Sequence, residues 1–167
     1  MSTLLRSALV AAVTAAALGV ETLRELEEAD PVATAARITD PVVARRARHI
    51  LTEIRRVRDF ESLLETGDVR ENVEELGALL NASHDSLRED YEVTVPPLDV
   101  AVDAARAAGA HGARMTGGGF GGSTIALVEA DQAETVAAAI AEAFAQQGFT
   151  APEFFLAVAT EGAGRDR

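Results

Sequence analysis

The stretch Met115-Thr116-Gly117-Gly118-Gly119-Phe120-Gly121-Gly122-Ser123 sets five glycines around one phenylalanine, and the β-prone run Thr124-Ile125-Ala126-Leu127-Val128 follows it. Glycine loses more backbone entropy on ordering than any other residue and buries no side chain. So dense a cluster implies positive φ angles or a close approach to the backbone. A flexible linker interleaves glycine with serine and polar residues, whereas apolar residues flank this stretch on both sides. Three glycine-loop chemistries compete for it. Gly117, Gly119 and Gly122 satisfy G-x-G-x-x-G, but the dinucleotide fingerprint needs a helix to open in the loop, and a strand-like run follows instead. A P-loop needs Gly-Lys-Ser or Gly-Lys-Thr at its end, and no lysine stands nearby. The third is a tight loop between two strands, with backbone amides and small side chains against a phosphate-binding site.

Few other residues are placed for chemistry. His84 falls near the apolar stripe of its helix, which suits a core or boundary residue better than a catalyst. Asp85, Glu89 and Asp90 could gather a cation, yet three carboxylates on one helix usually face water. Arg45, Arg46, Arg48, Arg55, Arg56 and Arg58 share one helix. A net charge of −12 makes that row a solvated face pairing with acidic neighbours. A nucleic-acid surface needs clustered cations without such a background.

Arg114-Met115-Thr116-Gly117-Gly118-Gly119-Phe120-Gly121-Gly122-Ser123 resembles the third, C-terminal motif of galactokinases, members of the GHMP sugar and metabolite kinases. Ser83-His84-Asp85-Ser86-Leu87-Arg88-Glu89-Asp90-Tyr91-Glu92-Val93-Thr94, with Leu98-Asp99 after it, is similar to the galactokinase segment before that loop. Arg45-Arg46-Ala47-Arg48-His49-Ile50-Leu51-Thr52-Glu53 and Ala15-Ala16-Ala17-Leu18-Gly19-Val20-Glu21-Thr22-Leu23-Arg24 resemble further galactokinase segments. The resemblance runs in family order over roughly Leu18 to Gly164.

The resemblance implies transfer of the γ-phosphoryl of ATP, with Mg2+, to the anomeric hydroxyl of galactose. The family's sugar-binding motif, serine-rich phosphate loop and catalytic Asp–Arg pair belong to an N-terminal domain, and no stretch here matches them. The chain therefore resembles the C-terminal part alone: no catalytic and no metal-binding residue is expected in it. Thr116, Gly117, Gly118, Gly119, Phe120, Gly121, Gly122 and Ser123 are expected to line the nucleotide and substrate cleft. Thr116 and Ser123 would hydrogen-bond across that cleft, Phe120 would be a packing wedge, and Arg114 a structural ion-pair partner. Valine at Gly118 or Gly121 is expected to abolish the activity of a full-length enzyme. The alternatives are a non-catalytic remnant or binding module of the same ancestry and, less well matched, another GHMP kinase.

The elements that must position this loop follow from periodicity. Met1–Val20 reads as a helix entering the domain; its alanine-rich run is too short to span a membrane and competes with a signal-peptide reading. Glu21–Asp30 is a short helix or turn. Thr39-Asp40-Pro41 is a helix start. Val43, Ala47, Ile50, Ile54, Val57 and Leu64, with Phe60 nearby, then mark a long amphipathic helix that Gly67 ends. Asp68-Val69-Arg70-Glu71 resembles a capping box for a helix carrying Val69, Val73, Leu76, Leu80, Leu87 and Tyr91. Pro96-Pro97 break that pattern, and Leu98, Val102 and Ala105 make a third helix closing at Gly109. Strands are expected at Ala113–Thr116 and Thr124–Glu129, on either side of the loop. Asp131-Gln132-Ala133-Glu134 is another capping-box-like start, for a helix packing through Ala133, Val136, Ala137, Ile140 and Phe144 to Gly148. Phe154–Thr160, apolar on both faces, is expected as a central or covered strand, and Gly162–Arg167 as a frayed tail.

Helices followed by strand, loop, strand, helix and strand make an α+β domain, with helices on one face of a small antiparallel sheet. The resemblance implies the same, a ferredoxin-like arrangement. The 167 residues suit one domain. With 48% hydrophobic but only 4% aromatic residues, alanine, valine and leucine must fill the core. The absence of cysteine fits a reducing cytoplasm. A domain cut from its other half would expose apolar surface, so pairing with an N-terminal half or self-association is expected.

Overall fold

The computed structural model of the chain describes residues 12–158. The first part of the entering helix, the end of the expected last strand (159–160) and the Gly162–Arg167 tail lie outside the described residues. Helix α1 covers residues 12–18 and buries Thr14, Ala15 and Leu18. A single 3-10 turn at Leu23–Leu26 follows, closed by a capping box between Thr22 and Glu25. Helix α2 (Pro31–Ala35) starts where the Asp30 side chain accepts from Ala33 N at 2.7 Å.

Helix α3 (Pro41–Thr66) begins as its sequence requires: the Asp40 carboxylate accepts from Val42 N and Val43 N at 2.8 and 3.0 Å, with proline in the first turn. It ends at Gly67, and Asn72 Nδ2 donates to Leu63 O there. The buried residues of α3 are Ala47, His49 and Leu51. Ala47 and Leu51 close one apolar cluster with Leu18, Leu23, Ala35 and Ile38. Val57 and Leu64, expected on the same buried stripe, are exposed, because α1 and α2 cover only the first half of this long helix. The arginine face is a paired one. Arg46 and Arg45 meet Glu92, Arg48 meets Asp90, Arg56 meets Glu53, and Arg58 meets Glu27 and Glu28.

Helix α4 (Val73–Ser86) starts at Asn72, later than expected. Asp68 does accept from Arg70 N, but Glu71 N bonds Asp68 O in a turn, so that capping pattern caps a turn and leaves Val69 exposed. A π-helical turn, Leu87–Tyr91, continues α4 and stops at Glu92, whose φ is 55°. Helix α5 (Pro96–Ala107), strand β1 (Gly112–Thr116), strand β2 (Ser123–Leu127) and helix α6 (Ala133–Gln147) complete the order. The start of α6 lies at Gln132 and has no side-chain cap, so the second capping pattern is not used; Gly148 ends it.

The architecture is α+β. The two strands pair antiparallel, with Ala113 opposite Ala126 and Met115 opposite Thr124. Helices α5 and α6 pack together over Ala113 through Val102, Ala105, Val136, Ile140 and Phe144. Met115 packs with Leu87, Val93 and Leu98. Helix α4 lies close against β1: a Cβ on Gly112 would stand 2.2 Å from Gly77 O, and one on Gly77 2.2 Å from His111 O. Among the described residues, the expected third strand is not formed. Residues 154–158 run without strand pairing, with Phe155, Leu156 and Val158 exposed by 85%, 75% and 75%. Their composition demands cover on both faces, and no described element reaches them to provide it.

Candidate functional site

The glycine loop joins β1 to β2 and is held in place from beneath. Gly117, Gly119, Gly121 and Gly122 have positive φ, and so does Phe120 at 61°. A phenylalanine in the left-handed region is strained by about 1 kcal/mol or more, so its surroundings must over-determine it. The anchor is Val93. Phe120 N donates to Val93 O at 2.7 Å, and a Cβ on Gly119 would stand 2.6 Å from that oxygen and 2.7 Å from Val93 Cβ. Gly119 therefore meets two requirements at once, positive φ and close approach. Gly121, expected as a sensitive position, has φ +127° but open space around it. Phe120, expected as a packing wedge, is 52% exposed; its backbone is pinned and its ring is not packed into this chain.

Thr116 and Ser123 stand opposite one another in register at the loop's two ends. Both are exposed, and neither hydroxyl has a hydrogen-bond partner among the described residues. Arg114 is the ion-pair partner expected: its Nη1 lies 3.0 Å from Glu53 Oε1. Glu53 also accepts from Ser83 Oγ at 2.6 Å and from Arg56 Nε at 2.8 Å. Burial works to raise the Glu53 pKa, but the Ser83 hydroxyl, Arg56 and Arg114 more than offset it and hold it below the ordinary carboxylate value.

Beneath the loop, β1 is gripped by side chains. His84, fully buried, accepts from Met115 N through Nδ1 at 3.1 Å, which leaves the proton on Nε2. That nitrogen lies 3.3 Å from Asp99 Oδ1 without hydrogen-bond alignment, so neither atom is satisfied. Burial pushes the His84 pKa down, helped by Arg106 and opposed by Asp99. Asn81 Oδ1 accepts from Ala113 N at 3.0 Å while Asn81 Nδ2 donates to His111 O at 3.2 Å. Arg106 Nη2 donates to Ala113 O at 3.3 Å. His84 is thus a buried support. Asp85, Glu89 and Asp90 do not converge: Asp85 pairs with Arg106 and Asp90 with Arg48 and Ser86.

The sequence reading missed a second buried histidine. His49 stacks on Tyr91 with ring centroids 4.5 Å apart. Ser86 Oγ donates to Asp90 Oδ2, so the 3.0 Å contact between His49 Nδ1 and Ser86 Oγ has the imidazole as donor. Burial lowers its pKa to about 4; Arg56 and Arg114 act in the same direction, Glu53 and Asp90 against it. The signal was present at Arg48-His49, but an apolar-stripe count passes over a histidine. A cavity of about 450 Å³ opens beside His49, Tyr91, Glu53 and Arg58, and no loop residue lines it.

With the loop's geometry in hand, comparison with known proteins decides its family. The family description "GHMP kinases C terminal" matches residues 60–146, just over half of the chain and all of the loop. The chain belongs to the GHMP kinase C-terminal family. Among curated GHMP relatives, a galactokinase of Streptomyces coelicolor is 49% identical over 152 residues, covering 90% of this chain and 38% of the relative. One from Mycobacterium tuberculosis is 46% identical over 153 residues, covering 92% of this chain and 41% of the relative. A Lactococcus lactis galactokinase solved with galactose superposes with a TM-score of 0.80 at 33% identity, covering 91% of this chain and 40% of that one. The chain thus spans about two fifths of the length of these relatives. The GHMP assignment agrees with the α+β fold and with the resemblance carried by the loop. Among the described residues, no helix is long and apolar enough to cross a membrane.

Proposed function

We propose that this chain is the C-terminal part of a cytoplasmic galactokinase, which transfers the γ-phosphoryl of ATP to the anomeric hydroxyl of galactose. Its loop Thr116–Ser123 would close the active-site cleft from one side. The observation that carries this reading is the loop's construction: a strained backbone, anchored at Val93, that presents two unpaired hydroxyls at its base. Donors free of internal partners fit phosphate oxygens. ATP, when bound, supplies the phosphoryl group; Thr116 and Ser123 orient it, and the glycines let the other side of the cleft approach closely. The described residues do not fit a magnesium ion, since no three His, Asp or Glu side chains among them gather at one point. The ion that phosphoryl transfer requires would be held by the rest of a full-length enzyme, and no step here depends on it.

The test is formation of galactose 1-phosphate from galactose and magnesium-ATP. The chain is assayed alone, then mixed with the separately expressed portion of the Streptomyces galactokinase that lies outside the match. Turnover only in the mixture is the expected result. Silence in both, from folded components shown to associate, overturns the reading. Within an active complex, Gly119→Val is expected to lower turnover by a factor of about 100 or more, because it displaces Val93 and the loop together. Near-normal turnover of that variant removes the loop from the mechanism.

A further inference from the structure

Among the described residues, two that are not glycine have positive φ, Glu92 at 55° and Phe120 at 61°. One hydrogen bond ties them together: Val93, next after Glu92, accepts from Phe120 N through its carbonyl at 2.7 Å. The Phe120 ring is half exposed and does not hold its own backbone in that region. The conformation of the loop therefore depends on where Val93 O points. That direction is set one residue earlier, where Glu92 ends the π-helical turn Leu87–Tyr91. The Glu92 and Val93 N–H groups both donate to Leu87 O. Glutamate lacks the freedom of glycine to sit in the left-handed region, so something outside the turn must keep it there.

Helix α3 supplies it. Arg46 straddles the reversal: Nη1 donates to Asp90 O, ahead of Glu92, and Nη2 to the Glu92 carboxylate. Arg45 stands 3.5 Å from the same carboxylate. Arg46, with Arg45 adding, holds the Glu92 carboxyl below the ordinary carboxylate value. Asp90 is fixed in turn by Arg48 Nε at 3.0 Å and Ser86 Oγ at 3.1 Å, so the carbonyl that Arg46 grips does not drift. We propose that Arg46 is a positioning residue for the glycine loop: its two-pronged guanidinium clamps Glu92 in the left-handed conformation, which aims Val93 O at Phe120 N. Lysine would keep the charge but lacks the planar fork, so it cannot span Asp90 O and Glu92 together. The effect of the clamp on phosphoryl transfer rests on the proposed galactokinase reading; its effect on the loop does not.

Amide hydrogen exchange on the full chain reads the clamp directly. In Arg46→Lys the Phe120 amide is expected to exchange about tenfold faster or more. The Met115 amide, held by His84 on the adjoining strand, should not change. Equal acceleration of both would make Arg46 an ordinary stabilising residue and overturn the proposal, as would an unchanged Phe120. Glu92→Gln, a milder loss from the same clamp, should move Phe120 the same way by less, and it decides the matter if Arg46→Lys does not fold. Glu92→Gly supplies the rescue, because glycine takes the left-handed conformation unaided. Against that background Arg46→Lys should change Phe120 exchange by less than about twofold, so the two substitutions do not add. An Arg46→Lys effect of the same size in both backgrounds shows that Arg46 does not act through residue 92, and the proposal fails. The last arm is turnover in the mixture with the Streptomyces portion outside the matched 38%. Arg46→Lys should lower kcat/KM for ATP about tenfold and leave KM for galactose unchanged. An unaltered kcat/KM for ATP, with Phe120 loosened, removes the clamp from the reaction. A wild-type mixture without turnover rejects the kinase reading, while the exchange at Phe120 still decides the clamp.

Discussion

Strand β1 and strand β2 are five residues each, paired in one hairpin, yet one is a finished edge and the other an open one. Met115 is 1% exposed and its neighbour across the ladder belongs to a strand with Ile125 at 48%. The difference comes from what stands beside each strand. Helix α4 approaches β1 so closely that its Asn81 and His84 side chains replace the hydrogen bonds of a missing neighbour. Among the described residues, no strand or side chain hydrogen-bonds to the outer edge of β2. A sheet edge can therefore be closed by side chains as completely as by a strand, provided the backbones come near enough.

The nearness depends on two glycines, so the largest effect is expected there. Gly77 and Gly112 face one another, and a Cβ on either would overlap backbone atoms that cannot rotate away. Gly112→Val should separate α4 from β1 and break the grip of Asn81 and His84 together. A loss of about 3 kcal/mol or more is expected, read as loss of cooperative thermal unfolding. A stable, cooperative Gly112→Val chain would show that the closed edge does not depend on this contact.

Asn81→Leu acts on the same edge without moving the helix. It leaves Ala113 N–H and His111 C=O without their partner, at about 1–3 kcal/mol for each buried group. Asn81→Asp should recover part of the loss, since it keeps the acceptor for Ala113 and drops only the donor to His111. Urea unfolding of the three proteins orders them wild type, Asp, Leu if the ladder works as described.

Acid should loosen the closed edge through its histidine. The folded pKa of His84 is depressed, chiefly by burial with Arg106 adding and Asp99 opposing, and that of His49 is depressed to about 4. Unfolded imidazoles take up protons below about 6.5, while these two stay neutral in the fold. Protons thus favour the unfolded state, and stability falls as pH drops below about 6.5, continuing towards 4 for His49. Melting temperature should decline through that window. His84→Gln, which offers an acceptor without a titrating ring, should give a lower but flatter profile. A profile as steep as the wild type would assign the acid sensitivity to His49 alone.

Much of this was legible from sequence where local chemistry decided the outcome. Asp40-Pro41 started α3, Gly67 and Gly148 ended helices, and the Thr116–Ser123 loop sat between two strands as its flanking runs required. The failures share a cause. Asp68 and Asp131 offered capping patterns that the backbone did not use, because tertiary packing set where α4 and α6 begin. Val57 and Leu64 kept helical periodicity beyond the reach of α1 and α2. Phe154–Thr160 reads as a covered strand for sound reasons of composition, but a strand needs a neighbour, and a neighbour distant in sequence leaves no local trace. At the candidate site, Arg114 is the ion-pair partner its position suggested, whereas the dependence of Gly119 on Val93 is a contact across the fold that no spacing rule reports.

The smallest effect should come from charging the open edge. Ile125 pairs in register with Arg114 and lies half in solvent, so Ile125→Lys removes little buried surface and should change stability by about 0.5 kcal/mol or less. Lysine on a free edge opposes the addition of an unintended strand, and the exposed run at 154–158 makes such addition a hazard when the chain is alone. Heated at high concentration, the variant should scatter light at a higher onset temperature than the wild type while melting at the same one. An equal onset would move the aggregation hazard from β2 to Phe155, Leu156 and Val158. A lowered melting temperature would mean that β2, despite its exposure, is held by packing from the side that Ile125 faces, and the contrast between the two edges would then be one of hydrogen bonding alone.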